Sequence, residues 1–114
     1  MASSNTYTSP DRSLTFVTES GDDHHTILHF QDFPWHTHSD LLVGSYGSSE
    51  ESAVQNFIER LLRNELVIAI YRRGNEVVDI CVTDNPSEDL RYVPEGQTLE
   101  FRYWDSSAWS PENE

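Results

Sequence analysis

SSEESAVQNFIERLLRN at residues 48–64, followed directly by ELVIAIY at 65–71, decides the fold. Val54, Phe57, Ile58, Leu61 and Leu62 recur at three- and four-residue spacing and so share one face of a helix. Gln55, Asn56, Glu59, Arg60 and Arg63 fall on the other face. Ser48 with Glu51 three residues on matches a capping box, and Asn64 supplies a stop. The spacing predicts one amphipathic helix over about 49–63. Leu66 to Tyr71 is continuous, apolar and largely β-branched, the pattern of a central strand buried on both faces.

Outward from this pair the elements are short. Arg72-Arg73-Gly74-Asn75 reads as a turn, and residues 76–83 return as the hairpin partner of 66–71. Upstream, 13–18 and 26–33 form a second hairpin around the turn signal Ser20-Gly21-Asp22-Asp23. Asp40-Leu41-Leu42-Val43 is a short run closed by Gly44 and Gly47, glycines whose expected role is flexible spacing. Downstream, 84–89 reads as loop and 94–97 as a turn. Residues 98–104 then alternate, with Leu99, Phe101 and Tyr103 opposite Glu100, Arg102 and Trp104. Residues 1–12 read as a flexible lead-in, 13–105 as one domain and 106–114 as a polar tail. The expected fold is α+β: a mostly antiparallel sheet of five to six strands with the helix packed on one face. The helical stripe should meet Phe16, Ile68, Ile70, Ile80 and Phe101, at about 1.5–3 kcal/mol for each large side chain buried.

Composition narrows the partner. The chain has 114 residues, 20 acids against 7 basic residues, all arginine, and a formal charge of −13. That excess disfavours a nucleic-acid backbone or an anionic membrane as partner, since both are polyanions. The longest wholly apolar run, 66–71, is far short of the ~20 residues a membrane span needs. Met1 to Thr6 has neither a basic region nor an apolar stretch, so the expectation is a cytoplasmic protein without a signal peptide. Cys81, the single cysteine, lies in an apolar run and is expected to be a buried structural thiol.

Two constellations carry chemistry. All five histidines fall between positions 24 and 38. His36, His38 and Asp40, with His29 from the preceding strand, could bind zinc or another divalent transition metal and serve an enzyme or sensor. The competing expectation is no metal and no cofactor, with those histidines solvated or bonded to neighbouring carboxylates. No serine sits in a nucleophile elbow, and Glu50 and Glu51 would repel phosphate from the helix start. The second constellation lies in residues 74–114, which hold ten acids against two arginines. There Asp84, Glu88, Asp89, Glu95, Glu100 and Asp105 alternate with Tyr92, Tyr103, Trp104 and Trp109. Carboxylates steer a basic protein partner, and exposed rings supply contact area.

In size, acidity, single helix and absence of a catalytic motif, the chain resembles small bacterial immunity proteins that neutralise polymorphic toxins. The resemblance implies a non-catalytic inhibitor that binds a cognate, basic, nuclease-like toxin domain. It carries over no functional residue. Acidic DNA-mimicking anti-defence proteins of phages look similar at this level, and a small subunit of a larger assembly is a further reading.

Overall fold

The computed structural model describes residues 3–20 and 25–110. The chain is α+β, and its described residues form two antiparallel sheets of four and three strands and three helices in place of one continuous sheet. Sheet 1 runs in sequence order: β1 (Ser3–Thr8), β2 (Thr15–Ser20), β3 (Thr26–Phe30) and β4 (His36–His38). Next come α1 (Ser39–Leu42) and α2 (Glu50–Leu62). Sheet 2 holds β5 (Val67–Arg73), β6 (Glu76–Thr83) and β7 (Thr98–Arg102), with α3 (Pro86–Arg91) between the last two. Its order is β6-β5-β7, which makes β5 the central strand as its sequence predicts. Ile68, Ala69 and Ile70 are successive buried residues, so both faces of β5 are covered. Where the sheets meet, the Trp35 backbone N–H donates to Asp79 Oδ1 at 3.2 Å.

One core joins the layers. Phe16, Leu28 and Phe30 from sheet 1, Phe57, Ile58 and Leu61 from α2, and Ile68, Ile70 and Ile80 from sheet 2 belong to a single buried cluster. Phe16 meets Phe30 edge-on, with ring centroids 4.9 Å apart, and Phe57 at 6.1 Å. The helical stripe is therefore narrower than its spacing suggests. Leu62 is 38% exposed, and Ala53 takes a fully buried place instead.

The helix begins one residue later than Ser48 and Glu51 suggest. Ser49 is the cap: its hydroxyl accepts from the Ser52 N–H at 3.2 Å, and Ser52 Oγ accepts from the Ser49 N–H at 3.2 Å. Gly47 is not a flexible spacer. A Cβ there would lie 2.5 Å from Ser52 Oγ and 2.8 Å from the Ala53 nitrogen, so the loop seats directly on the first helical turn. Asn64 stops the helix as expected, with φ of 63° and its N–H donating to Leu61 O.

Two segments that read as unstructured are built into the fold. Within the supposed lead-in 1–12, Ser3–Thr8 pairs antiparallel with β2, Tyr7 opposite Phe16. Its Ser and Thr residues conceal the strand, because they mark loops as often as exposed edge strands. Within 84–89, Asn85 caps α3 by accepting from the Glu88 N–H at 3.2 Å, and Pro86 occupies the first turn. The tail also folds back: Ala108 bridges to Arg102, and Trp109 is buried against Phe101 with centroids 5.0 Å apart. Residues 111–114 lie outside the described residues.

Candidate partner-binding surface

Arg102 decides which side of β7 faces in. It is 7% exposed, and its guanidinium donates to Asp11 Oδ2 at 2.9 Å, Ser13 Oγ at 2.8 Å and the carbonyls of Tyr103 and Trp104. The nominally polar face of β7 is thus the inner one. Phe101 turns outward under Trp109 and does not join the core that meets α2. β7 ends at Arg102, the chain reverses through Ser106 at φ 78°, and strand alternation no longer applies. Trp104 therefore turns into the core at 4% exposure, which corrects its expected place on the surface. Trp109, at 9%, is likewise an internal packing residue.

The remaining acids divide in two. Glu100 is ion-paired with Arg72, and Asp89 accepts from the Thr83 hydroxyl. Asp105 accepts from the Ser107 N–H at 2.9 Å and hydroxyl at 2.6 Å, which holds its carboxyl below the usual range. Asp84, Glu88 and Glu95 are exposed. So is Tyr92, at 73%, just after α3, and Leu90 on that helix is 49% exposed. The C-terminal end of α3 thus presents an apolar pair between carboxylates, and Leu90 belongs to a surface that the sequence reading did not include.

That surface continues around Tyr46, also missed in sequence. Tyr46 sits edge-on against Phe57 at 5.1 Å, and the Arg60 guanidinium lies 5.6 Å over its ring. Burial raises the Tyr46 phenol above its usual pKa, with Arg60 opposing and Asp84 adding to the rise. Two clefts flank the ring, of about 200 and 240 Å³, and share Tyr46, Thr83 and Asp84. The first reaches Trp35 and Leu42, and the second reaches Glu65, Pro86, Tyr103 and Trp109. Leu41 of α1, at 68% exposure, and Val43 at the end of that helix, at 40%, stand beside them. Exposure of this kind is set by tertiary packing, so spacing alone gave no signal for Tyr46 or Leu41.

The histidine set is aligned but not assembled. His29 and His36 are register partners, and the His36 and His38 rings are 5.1 Å apart. His29 Nε2 is 2.8 Å from Glu19 Oε2, its Nδ1 lies 3.2 Å from Phe30 O, and His36 Nδ1 is 3.1 Å from Pro34 O. Asp40 has moved into the first turn of α1. Among the described residues no group of three or more His, Cys, Asp or Glu side chains is placed to hold a metal ion. Cys81 is half-buried, and burial, with Asp79 and Asp89 beside it, pushes its thiol up to about 12. Among the described residues no helix is long and apolar enough to cross a membrane. Comparison with protein-family models, with curated proteins and with solved structures found no match for this chain.

Proposed function

We propose that the protein is a non-catalytic inhibitor, an immunity protein that binds and neutralises a basic, nuclease-like toxin domain in the cytoplasm. The observation that carries the reading is the end of α3 and the turn after it, where Leu90 and Tyr92 stand exposed between Glu88 and Glu95. Exposed apolar side chains ringed by carboxylates suit a partner that brings both contact area and positive charge. The Tyr46 clefts with Asp84 extend the same face beyond the beginning of α3 at Pro86. The net charge of −13 supplies long-range attraction.

The test is co-expression with the product of a neighbouring gene that encodes a basic toxin-like domain, followed by association kinetics at two salt concentrations. A stoichiometric complex whose on-rate falls steeply with salt supports the reading. Reversal of Asp84 and Glu95 to Arg should then weaken it without loss of stability. Glu88 and Asp89 are left intact because their bonds to the Asn85 side chain and the Thr83 hydroxyl tie them to the fold. A complex that survives the double reversal, or no complex at all, overturns the proposal.

A further inference from the structure

A concavity of about 470 Å³ lies across α2 from the Tyr46 loop, between the helix and the inner face of sheet 1. That is within the roughly 300–1,000 Å³ typical of small-ligand sites. Tyr7, Val54 and Ile58 give it apolar walls, and Glu51 and Glu59 stand on its helical side. Neither carboxylate is ion-paired among the described residues, and no arginine lines the cleft. Glu50 also lines it, with Oε1 already accepting from Ser39 Oγ at 2.6 Å and 2.7 Å from His25 Nδ1.

Thr18 is the telling residue. It is 4% exposed and lines this cleft, yet its hydroxyl has no hydrogen-bond partner among the described residues. No fully enclosed side-chain oxygen or nitrogen is left unpartnered among the described residues, so the Thr18 oxygen keeps its residual access through the cleft. A hydroxyl that bonds no residue and opens only onto the cleft is an acceptor for whatever occupies it.

We propose that this cleft binds a primary ammonium or guanidinium carried on an aliphatic stem, with Thr18 Oγ1 accepting from the cation and Glu51 and Glu59 balancing its charge. The apolar walls accept the stem, as they would along a lysine or arginine side chain. The positive end of α2 opposes a cation with about half an elementary charge, less than the two facing carboxylates supply. The ligand is either a free polyamine or a basic side chain of a protein partner. The site is separate from the α3 surface, so either reading can fail alone.

The experiment is an amide-resolved NMR titration of the full chain with spermidine and, separately, with Nα-acetyl-argininamide. The expected result is shifts concentrated at Thr18, Thr26, Gln55 and Ile58. Affinity should fall by about tenfold in Thr18→Val and in Glu51→Gln/Glu59→Gln. The variant Asp32→Asn/Glu76→Gln removes two exposed charges elsewhere and should bind as the wild type does. Tighter binding of spermidine assigns the cleft to a free polyamine, and tighter binding of the arginine derivative assigns it to a partner's side chain. Shifts spread over the acidic surface, equal weakening in the Asp32/Glu76 variant, full affinity in Thr18→Val, or no binding of either probe overturns the proposal.

Discussion

Arg102 Nη1 donates to Asp11 Oδ2 at 2.9 Å across ninety-one positions of sequence, and so ties the turn before β2 to the last strand of sheet 2. The bond lowers the Asp11 carboxyl well below the ordinary carboxylate range, with Ser9 and Ser13 adding to the effect. A carboxylate whose folded pKa is depressed contributes stability above its unfolded value near 3.9, and that contribution is lost as pH falls below it. Asp11→Asn should therefore cost about 1–2 kcal/mol at pH 7, because the guanidinium loses a counter-charge that solvent already screens in part and keeps its bonds to Ser13, Tyr103 and Trp104. The same change should flatten the acid limb of stability below pH ~4. Urea unfolding at both pH values checks this, and an equal loss at pH 7 and pH ~2 would falsify it.

The two serines before α2 separate cleanly. Ser49→Ala removes the cap and should lower stability by about 1 kcal/mol. Ser48→Ala should stay within about 0.5 kcal/mol, since Ser48 is exposed and outside the cap. Paired denaturation curves of the two variants make the comparison.

Trp104 and Tyr92 should behave as opposites. Trp104→Ala opens the core and is expected to cost about 3–5 kcal/mol. Tyr92→Ala should leave the melting temperature in place and act only on partner affinity. A stability loss from Tyr92→Ala comparable to that of Trp104→Ala would remove α3 from the list of free surfaces.

Cys81 should be inert in the folded protein. With its pKa pushed up to about 12, roughly one thiol in ten thousand is ionised at pH 8. Its reaction with a disulfide reagent should accelerate only as urea unfolds the chain. Rapid labelling in native buffer would contradict the burial that sets this pKa.

Thr18→Val should leave stability within about 0.5 kcal/mol, because the hydroxyl bonds no residue and keeps its access through the cleft. Thermal unfolding of the variant reads this directly. A loss of stability would mean that the hydroxyl has a partner within the folded chain.

Strong periodicity made α2 and β5 legible, since Phe57, Ile58 and Leu61 of the helix and Ile68, Ala69 and Ile70 of the strand are buried, although Leu62 is not. Local composition failed at β1, whose serines and threonines form an outer strand, and at α3, a short helix hidden in a turn-like run. The candidate surface suffered for a different reason. Alternation through Trp104 assumed that β7 continues and that its charged side faces water. Asp11, ninety-one residues away, reverses that assignment by taking Arg102 inside. Long-range pairs of this kind leave no trace in local spacing. Asp84, Glu88, Glu95 and Tyr92 kept their exposure because nothing distant competes for them.

β5 takes β6 on one edge from the next stretch of chain and β7 on the other from near the far end. During synthesis the β5–β6 hairpin emerges first, with Ile68, Ala69 and Ile70 beside an open backbone edge. At ribosomal rates of ~5–20 residues per second, the stretch from Thr83 to Thr98 takes roughly 1–3 s to appear. For that interval the nascent chain offers a bare apolar edge to any neighbouring copy, and an overexpressing cell is where it should aggregate.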